Sequence, residues 1–269
     1  SRLMEGALPE PVEGSPFVFE TKLKNILKGY GGIEVYTLSL VSEEDAGEHS
    51  LKLKNPLGAD TSSLRTSLMP SLIRAAKANA GIKEAFHLFE MSNVYLPRKG
   101  ELPQELMTLA GIFSDYSFRD AKGEIEAFLQ ELNINYKSED EDSKGFIPNQ
   151  RIVFKSGGKE IGEFGTLEEG YIYWEFSTER LSRSLSPRKY QDIPSHPPQI
   201  EDITFTLPQR TKIGEVAEKI KASNYVSDVS LKEIYEDSYT FRVIYQHPGK
   251  TLRDEDIEKI RGEIIKRVK

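Results

Sequence analysis

The sequence predicts an α+β protein in two parts: a larger body with a mainly antiparallel sheet, then a small C-terminal domain of order β-α-β-β-α. Three observations lead there. Pro187, Pro194, Pro197 and Pro198 crowd one short stretch, and proline at that density forbids both a helix interior and a central strand. The body mixes strand and helix periods without a regular strand–helix–strand alternation, which argues against a parallel α/β sheet. Beyond the prolines, strand and helix periods follow one another cleanly. The boundaries are therefore an extended arm over 1–16, a body over 17–186, a proline-rich linker over 187–198 and a C-terminal domain over 199–269.

The arm holds three prolines and three acidic residues, a composition that favours extended chain. From Phe17 to Leu27 the apolar residues Phe19, Leu23, Ile26 and Leu27 repeat with a helical period, and Gly29, Gly31 and Gly32 stop it. Val35 to Val41 is mostly apolar and reads as a buried strand, with Glu43 to Gly47 an acidic turn. Pro70 suits a first helical turn, where its missing N–H would be unpaired anyway. Leu72, Ile73, Ala76 and Ala80 continue that helix as one stripe. His87 to Tyr95 and Glu105 to Phe113 read as strands, and Lys122 to Leu132 as a helix burying Ile125, Phe128, Leu129 and Leu132. Ser138 to Lys144 is an acidic loop. Arg151 to Phe154, Glu160 to Phe164 and Tyr171 to Phe176 are strands, and Thr178 to Ser184 is a short helix.

In the C-terminal domain, Ile203, Phe205 and Leu207 alternate with Asp202, Thr204 and Thr206, the mark of a half-buried strand. Ile213, Val216, Ala217 and Ile220 lie on one helical face. Val226 to Tyr235 and Tyr239 to Gln246 form a hairpin around Glu236-Asp237-Ser238. Asp254 to Lys269 is a second helix with Ile257, Ile260, Ile264 and Val268 inside. This order is that of a ferredoxin-like split βαβ fold without its last strand.

Composition narrows the function. Hydrophobic content of 38% and charged content of 29% fit a globular protein. No apolar run approaches the ~20 residues that span a bilayer, and no secretory signal pattern opens the chain, so the cytoplasm is expected. Cysteine is absent, which excludes disulfides, thiolate metal sites and a cysteine nucleophile. The net charge is −7, and 13 Lys/Arg against 13 Asp/Glu from Ser195 onward leave all of it on the body. That balance argues against a chain that binds nucleic acid over its whole surface, and leaves room for one local basic face.

Catalytic motifs are missing. There is no Walker-type phosphate loop and no dinucleotide fingerprint. His49, His87, His196 and His247 lack metal-ligand spacing, and no nucleophile elbow occurs. The carboxylates of Glu139 to Asp142 read as a solvated run. The residues by themselves describe a non-catalytic chain.

Two motif sets in series carry a resemblance. Asn55-Pro56-Leu57, then Leu64-Arg65-Thr66-Ser67-Leu68-Met69-Pro70, then His87-Leu88-Phe89-Glu90-Met91-Ser92-Asn93-Val94-Tyr95 resemble the catalytic-like module of the bacterial-type phenylalanyl-tRNA synthetase β subunit. Gly32 to Ser39 resembles the strand before it. His196-Pro197, Asp202-Ile203, Phe241-Arg242-Val243 and Lys250 to Asp256 resemble that family's anticodon-binding domain. The resemblance implies a class II synthetase-like antiparallel-sheet module without an active site, followed by the ferredoxin-like domain. It implies a hetero-oligomer with the synthetase α subunit, contact with tRNA-Phe, and no membrane. ATP and Mg are expected at the α subunit and no cofactor on this chain. No upstream domain of such β subunits is matched, which implies a C-terminal fragment or a reduced protein. The glycine-rich third motif of class II synthetases is missing, the residue before Asp202 is Glu201 where the family often has Arg, the hairpin after Tyr235 is short, and the last strand is absent.

The resemblance places Arg65, Thr66 and Glu90 at a subunit interface. Their bland readings are a helix cap or a carboxylate pair for Arg65, and a structural hydrogen bond for Glu90. On the tail sheet, Thr204, Thr206 and Arg242 alternate away from the apolar face. Lys232 and Tyr235 join them as an RNA-binding set using phosphate contact and stacking, against a plain solvated face. A free-standing RNA- or protein-binding protein reusing both modules is the alternative function, and a hydrolase or transferase has no motif in support.

Overall fold

The computed structural model describes residues 16–268 apart from 48, 83, 191, 209 and 210. The arm expected over 1–16 lies outside these residues except for Pro16, which begins a helix. Contacts divide the chain into two compact units between Arg188 and Lys189. Among the described residues no helix is long and apolar enough to cross a membrane.

The first unit runs α1 (Pro16–Gly29), β1 (Ile33–Glu34), β2 (Leu40–Val41), α2 (Glu43–Ala46), a 3-10 turn at Ala59–Thr61, β3 (Ser63–Leu64), α3 (Met69–Asn79), β4 (Phe86–Leu96), β5 (Gln104–Ser114), α4 (Phe118–Glu131), β6 (Lys137–Asp140), β7 (Phe146–Ser156), β8 (Lys159–Leu167), β9 (Ile172–Ser177) and α5 (Thr178–Arg183). Seven strands form one sheet in the order β1-β4-β5-β9-β8-β7-β6. Only the β1–β4 pairing is parallel.

Strand alternation divides this sheet into two apolar faces. Phe89, Leu109, Phe113, Phe154, Phe164, Trp174 and Phe176 pack with Leu23 and Leu27 of α1 and with Ile125, Phe128 and Leu129 of α4. Leu88, Ala110, Ile112 and Tyr173 point the other way and meet Leu68, Leu72 and Ala76 at α3. Coverage on both faces explains why Phe86 to Met91 are buried without interruption. Gly111 is a steric requirement: a Cβ there would sit 2.5 Å from the Trp174 indole, so Trp174 lies across β5. From that position its Nε1–H donates to His87 Nε2 at 3.1 Å in the core.

Three sequence expectations change. The strand expected over Val35 to Val41 is replaced by the short β1 and β2, and Tyr36 and Leu38 between them are exposed. Val35 still donates its N–H to Phe89 at 2.8 Å and Ser39 accepts from Arg65 at 3.0 Å, so the segment leaves one neighbour for another and β propensity does not carry one strand across that change. The acidic turn is the helix α2, because Ser42 caps it by accepting the Asp45 N–H. Part of the acidic loop is β6, whose four residues are all exposed and which pairs with β7.

The second unit runs β10 (Gln199–Thr206), α6 (Ile213–Lys221), β11 (Val226–Tyr235), β12 (Ser238–Tyr245) and α7 (Asp254–Val268). Its sheet is antiparallel with order β10-β12-β11. Ile203, Phe205, Phe241, Val243 and Tyr245 pack on Val216 and Ile220 of α6 and on Ile260, Ile264 and Val268 of α7. Both helices therefore lie on one face, and the opposite face of the sheet carries none of this core. Among the described residues β10 pairs with β12 alone.

Candidate nucleic-acid interface

The residues expected at a subunit interface sit inside the first unit. Arg65 and Glu90 are both fully buried. Arg65 Nη1 donates to Glu90 Oε1 at 3.1 Å and to Thr37 Oγ1 at 2.8 Å, and its Nε donates to the Asn93 carbonyl at 3.1 Å. Thr37 donates its own hydroxyl proton to Glu90 Oε2 at 2.6 Å. The guanidinium thus fastens the segment around Thr37 to β4. Thr66 donates to the Ala46 carbonyl at 2.6 Å and holds the end of α2. Arg65 and Glu90 face each other rather than a partner, because a buried charge is tolerated only when paired. Of the readings open in the sequence, the carboxylate pair is the one the structure supplies.

Farther along the same sheet, Glu90, Ala110, Glu175, Glu163 and Val153 stand opposite one another on adjacent strands. Glu175 accepts the Tyr173 hydroxyl at 2.5 Å, and burial pushes its carboxyl above the usual range, against the opposing pull of that bond. Glu163 is held by Arg151 at 2.6 Å. Each of these carboxyls has its own partner, and the Glu163 charge adds to the rise at Glu175. Among the described residues no cluster of three or more His, Asp or Glu is placed to hold a metal ion.

In the second unit the structure brings together the expected RNA-binding residues on the helix-free face. Cross-strand partners define its rungs: Thr206 with Ser238, Thr204 with Thr240, Asp202 with Arg242, and Ile200 with Ile244. On the other side of β12, Tyr235 is opposite Ser238 and Glu233 is opposite Thr240. Between Leu231 and Glu233 the register shifts. Lys232 follows Ser230 in alternation onto the open face, and the bulge brings Glu233 onto that face as well, opposite Thr240. Tyr235 stands at the hairpin end with 69% of its surface exposed.

The cations on this face are already engaged. Arg242 donates from Nε to Asp202 Oδ1 at 2.9 Å and from Nη2 to Oδ2 at 3.1 Å. Lys232 Nζ reaches across β12 to the same Oδ2 at 2.6 Å. Arg242 first, and Lys232 second, hold the Asp202 carboxyl down at about 2. Thr204 and Thr240 share a hydroxyl bond at 2.9 Å. The sequence reading names Lys232 and Arg242 on this face and does not include Asp202 among them. The signal was present, since Asp202 shares the alternation of Thr204 and Thr206.

Glu201, on the opposite side of β10, accepts from Arg261 of α7 and from the Tyr245 hydroxyl. It faces the helices, so its identity leaves the charge of the open face unchanged.

The first unit has the fold of a class II aminoacyl-tRNA synthetase module. Two solved pyrrolysyl-tRNA synthetase structures from Desulfitobacterium hafniense superpose with a TM-score of 0.51 at 16% and 17% identity, each covering 62% of this chain and 66% and 68% of theirs. The chain belongs to the family of the phenylalanyl tRNA synthetase beta chain CLM domain, whose model matches residues 1–172. The ferredoxin-fold anticodon binding domain matches residues 194–269. Phenylalanine–tRNA ligase beta subunits are similar along most of the chain. That of Clostridium acetobutylicum is 26% identical over 87% of this chain and 33% of its own length. Those of Dehalococcoides mccartyi and Staphylococcus aureus strain MSSA476 are 27% and 28% identical, each over 91% of this chain, with 35% and 36% of their own lengths covered. The chain thus spans about a third of the length of the curated relatives it matches.

Proposed function

We infer that this chain is a non-catalytic portion of a phenylalanine–tRNA ligase β subunit. In this reading the first unit supports a catalytic α subunit in a hetero-oligomer. The second contacts tRNA-Phe through its open sheet face, during phenylalanyl-tRNA formation. ATP and Mg belong to the α subunit, and the chain works in the cytoplasm.

The observation that carries the reading is the match of two family models in series along one chain. The polar groups support it. Arg65 and Glu90 bond each other and Thr37 inside the first unit, and both side chains are buried. The second unit offers one face without helices, bearing an exposed Tyr235 for base stacking and two cations for phosphate contact. Thr204 and Thr206 lie along the same strand and supply hydroxyls.

The subunit contact must use residues other than Arg65 and Glu90. The exposed Tyr36 and Leu38, next to the marginal strand β1, are the apolar candidates. Two measurements test the whole. The chain alone is expected to give no ATP–pyrophosphate exchange and to bind tRNA-Phe more tightly than a non-cognate tRNA. Robust exchange by the isolated chain, or equal affinity for both tRNAs, would contradict the reading.

A further inference from the structure

The two cations of the open face share one carboxylate. Lys232 comes from the bulge of β11, Arg242 from the central strand β12 and Asp202 from the marginal strand β10. The three side chains therefore bridge all three strands. No other lysine or arginine of β10, β11 or β12 is present on either face. With the clamp closed, the strands present no unpaired cation to solvent on this face.

The geometry of the clamp is the geometry of a phosphate contact. A carboxylate offers two oxygens to the side of a guanidinium, as a phosphate does. Here Nε and Nη2 of Arg242 take the two oxygens, and Nζ of Lys232 takes one of them as well. Arg242 Nη1 takes no part, and Lys232 keeps further N–H donors. All three side chains are partly exposed, at 31% for Asp202, 46% for Lys232 and 44% for Arg242. Ion pairs at such sites are weak and exchangeable.

We propose that Asp202 is an intramolecular stand-in for an RNA backbone phosphate: it holds Lys232 and Arg242 together and yields them only to a phosphate that engages both. It thereby acts as a specificity-determining residue. An RNA that touches the face in passing meets one exchangeable cation at a time and must displace a chelating carboxylate. An RNA that also stacks a base on Tyr235 delivers its phosphate to both cations at once. Competition of this kind raises discrimination by weakening the wrong complex. The proposal rests on the reading that this face contacts RNA, and its test separates the two.

The test compares the full chain with Asp202→Asn, with Glu258→Gln, and with Asp202→Asn combined with Lys232→Gln and Arg242→Gln. Glu258 is exposed on α7, so its substitution adds the same unit of charge away from the face. Binding of tRNA-Phe and of a non-cognate tRNA is measured over a range of salt. Asp202→Asn is expected to tighten non-cognate binding by about 3- to 10-fold and to steepen its salt slope by about 1. The ratio of cognate to non-cognate affinity then falls. Glu258→Gln is expected to change either affinity by less than about 2-fold. The triple variant should lose the gain, and thermal melting reports that each variant is folded.

If Asp202→Asn behaves like Glu258→Gln, or binds no RNA, the clamp has no such role and the proposal is overturned. If the wild type prefers tRNA-Phe and Asp202→Asn leaves that ratio unchanged, the proposal alone falls; if the wild type shows no preference for tRNA-Phe, the specificity role of Asp202 and the tRNA-Phe reading both fall.

Discussion

Two carboxylates in this chain each bind basic partners, and their surroundings set them apart. Glu90 meets Arg65 in the body with both side chains excluded from solvent. Asp202 meets Arg242 and Lys232 on an open sheet face, with every partner partly in water. In the first case desolvation makes the pair obligatory: removing one member leaves a buried charge with no replacement. In the second, water or a ligand oxygen can replace either member. The same chemistry is a fastening inside the protein and an exchangeable contact on its surface. Burial, more than residue type, separates the fixed arginine from the exchangeable one here.

The sharpest way to break that contrast is Arg65→Met. It strands Glu90 with the Thr37 hydroxyl as its remaining partner, and should cost the body about 3–5 kcal/mol, read as a fall in the denaturation midpoint. Adding Glu90→Leu should restore most of the loss. A single variant as stable as wild type would show that Glu90 tolerates isolation. Gly111→Ala tests the packing that shields this core. Its methyl group would meet the Trp174 ring, for an overpacking cost of about 1–3 kcal/mol in the same assay.

Glu175→Gln probes a third environment, a buried carboxyl bonded to the Tyr173 hydroxyl and raised in pKa by its burial. A carboxyl raised on folding favours the folded state when protonated, and that advantage is lost as pH rises through its folded pKa. The amide keeps an acceptor for the Tyr173 hydroxyl without the charge. The variant should therefore melt higher than wild type at pH 8, and the difference should vanish below pH ~4. A lower melting point at pH 8 would contradict the account.

The smallest effect on stability is expected from Lys232→Gln with Arg242→Gln, which should leave the melting temperature at neutral pH nearly unchanged. Asp202 has the opposite sign to Glu175. Its carboxyl is depressed from 3.8 to about 2, so its contribution is present above pH ~3.8 and is lost as pH falls toward 2. In the double variant that acid-dependent step should disappear from the melting profile.

Much of this was legible in the sequence, for physical reasons that can be named. The alternation of Ile203 and Phe205 against Asp202 and Thr204 assigns strand faces directly, because the side-chain period of a strand is two. The helical stripe Ile125, Phe128, Leu129 and the proline at position 70 were equally plain. The Val35 to Val41 segment misled because its residues suit a strand, while pairing depends on neighbours far along the chain. Arg65 misled in another way. Its partner Glu90 lies 25 residues on, and nothing local shows that both are buried. Lys232 and Asp202 lie on strands separated by β12, so the clamp emerges only when three strands are placed side by side.

The most direct test of the contrast is NMR of the arginine Nε–Hε groups during titration of the full chain with tRNA-Phe. Arg242 and Arg65 each donate from Nε, the exposed one to the Asp202 carboxylate and the buried one to the Asn93 carbonyl. The account predicts that the Arg242 signal moves progressively with added RNA while the Arg65 signal stays in place. An Arg242 signal unmoved at saturating tRNA would contradict it.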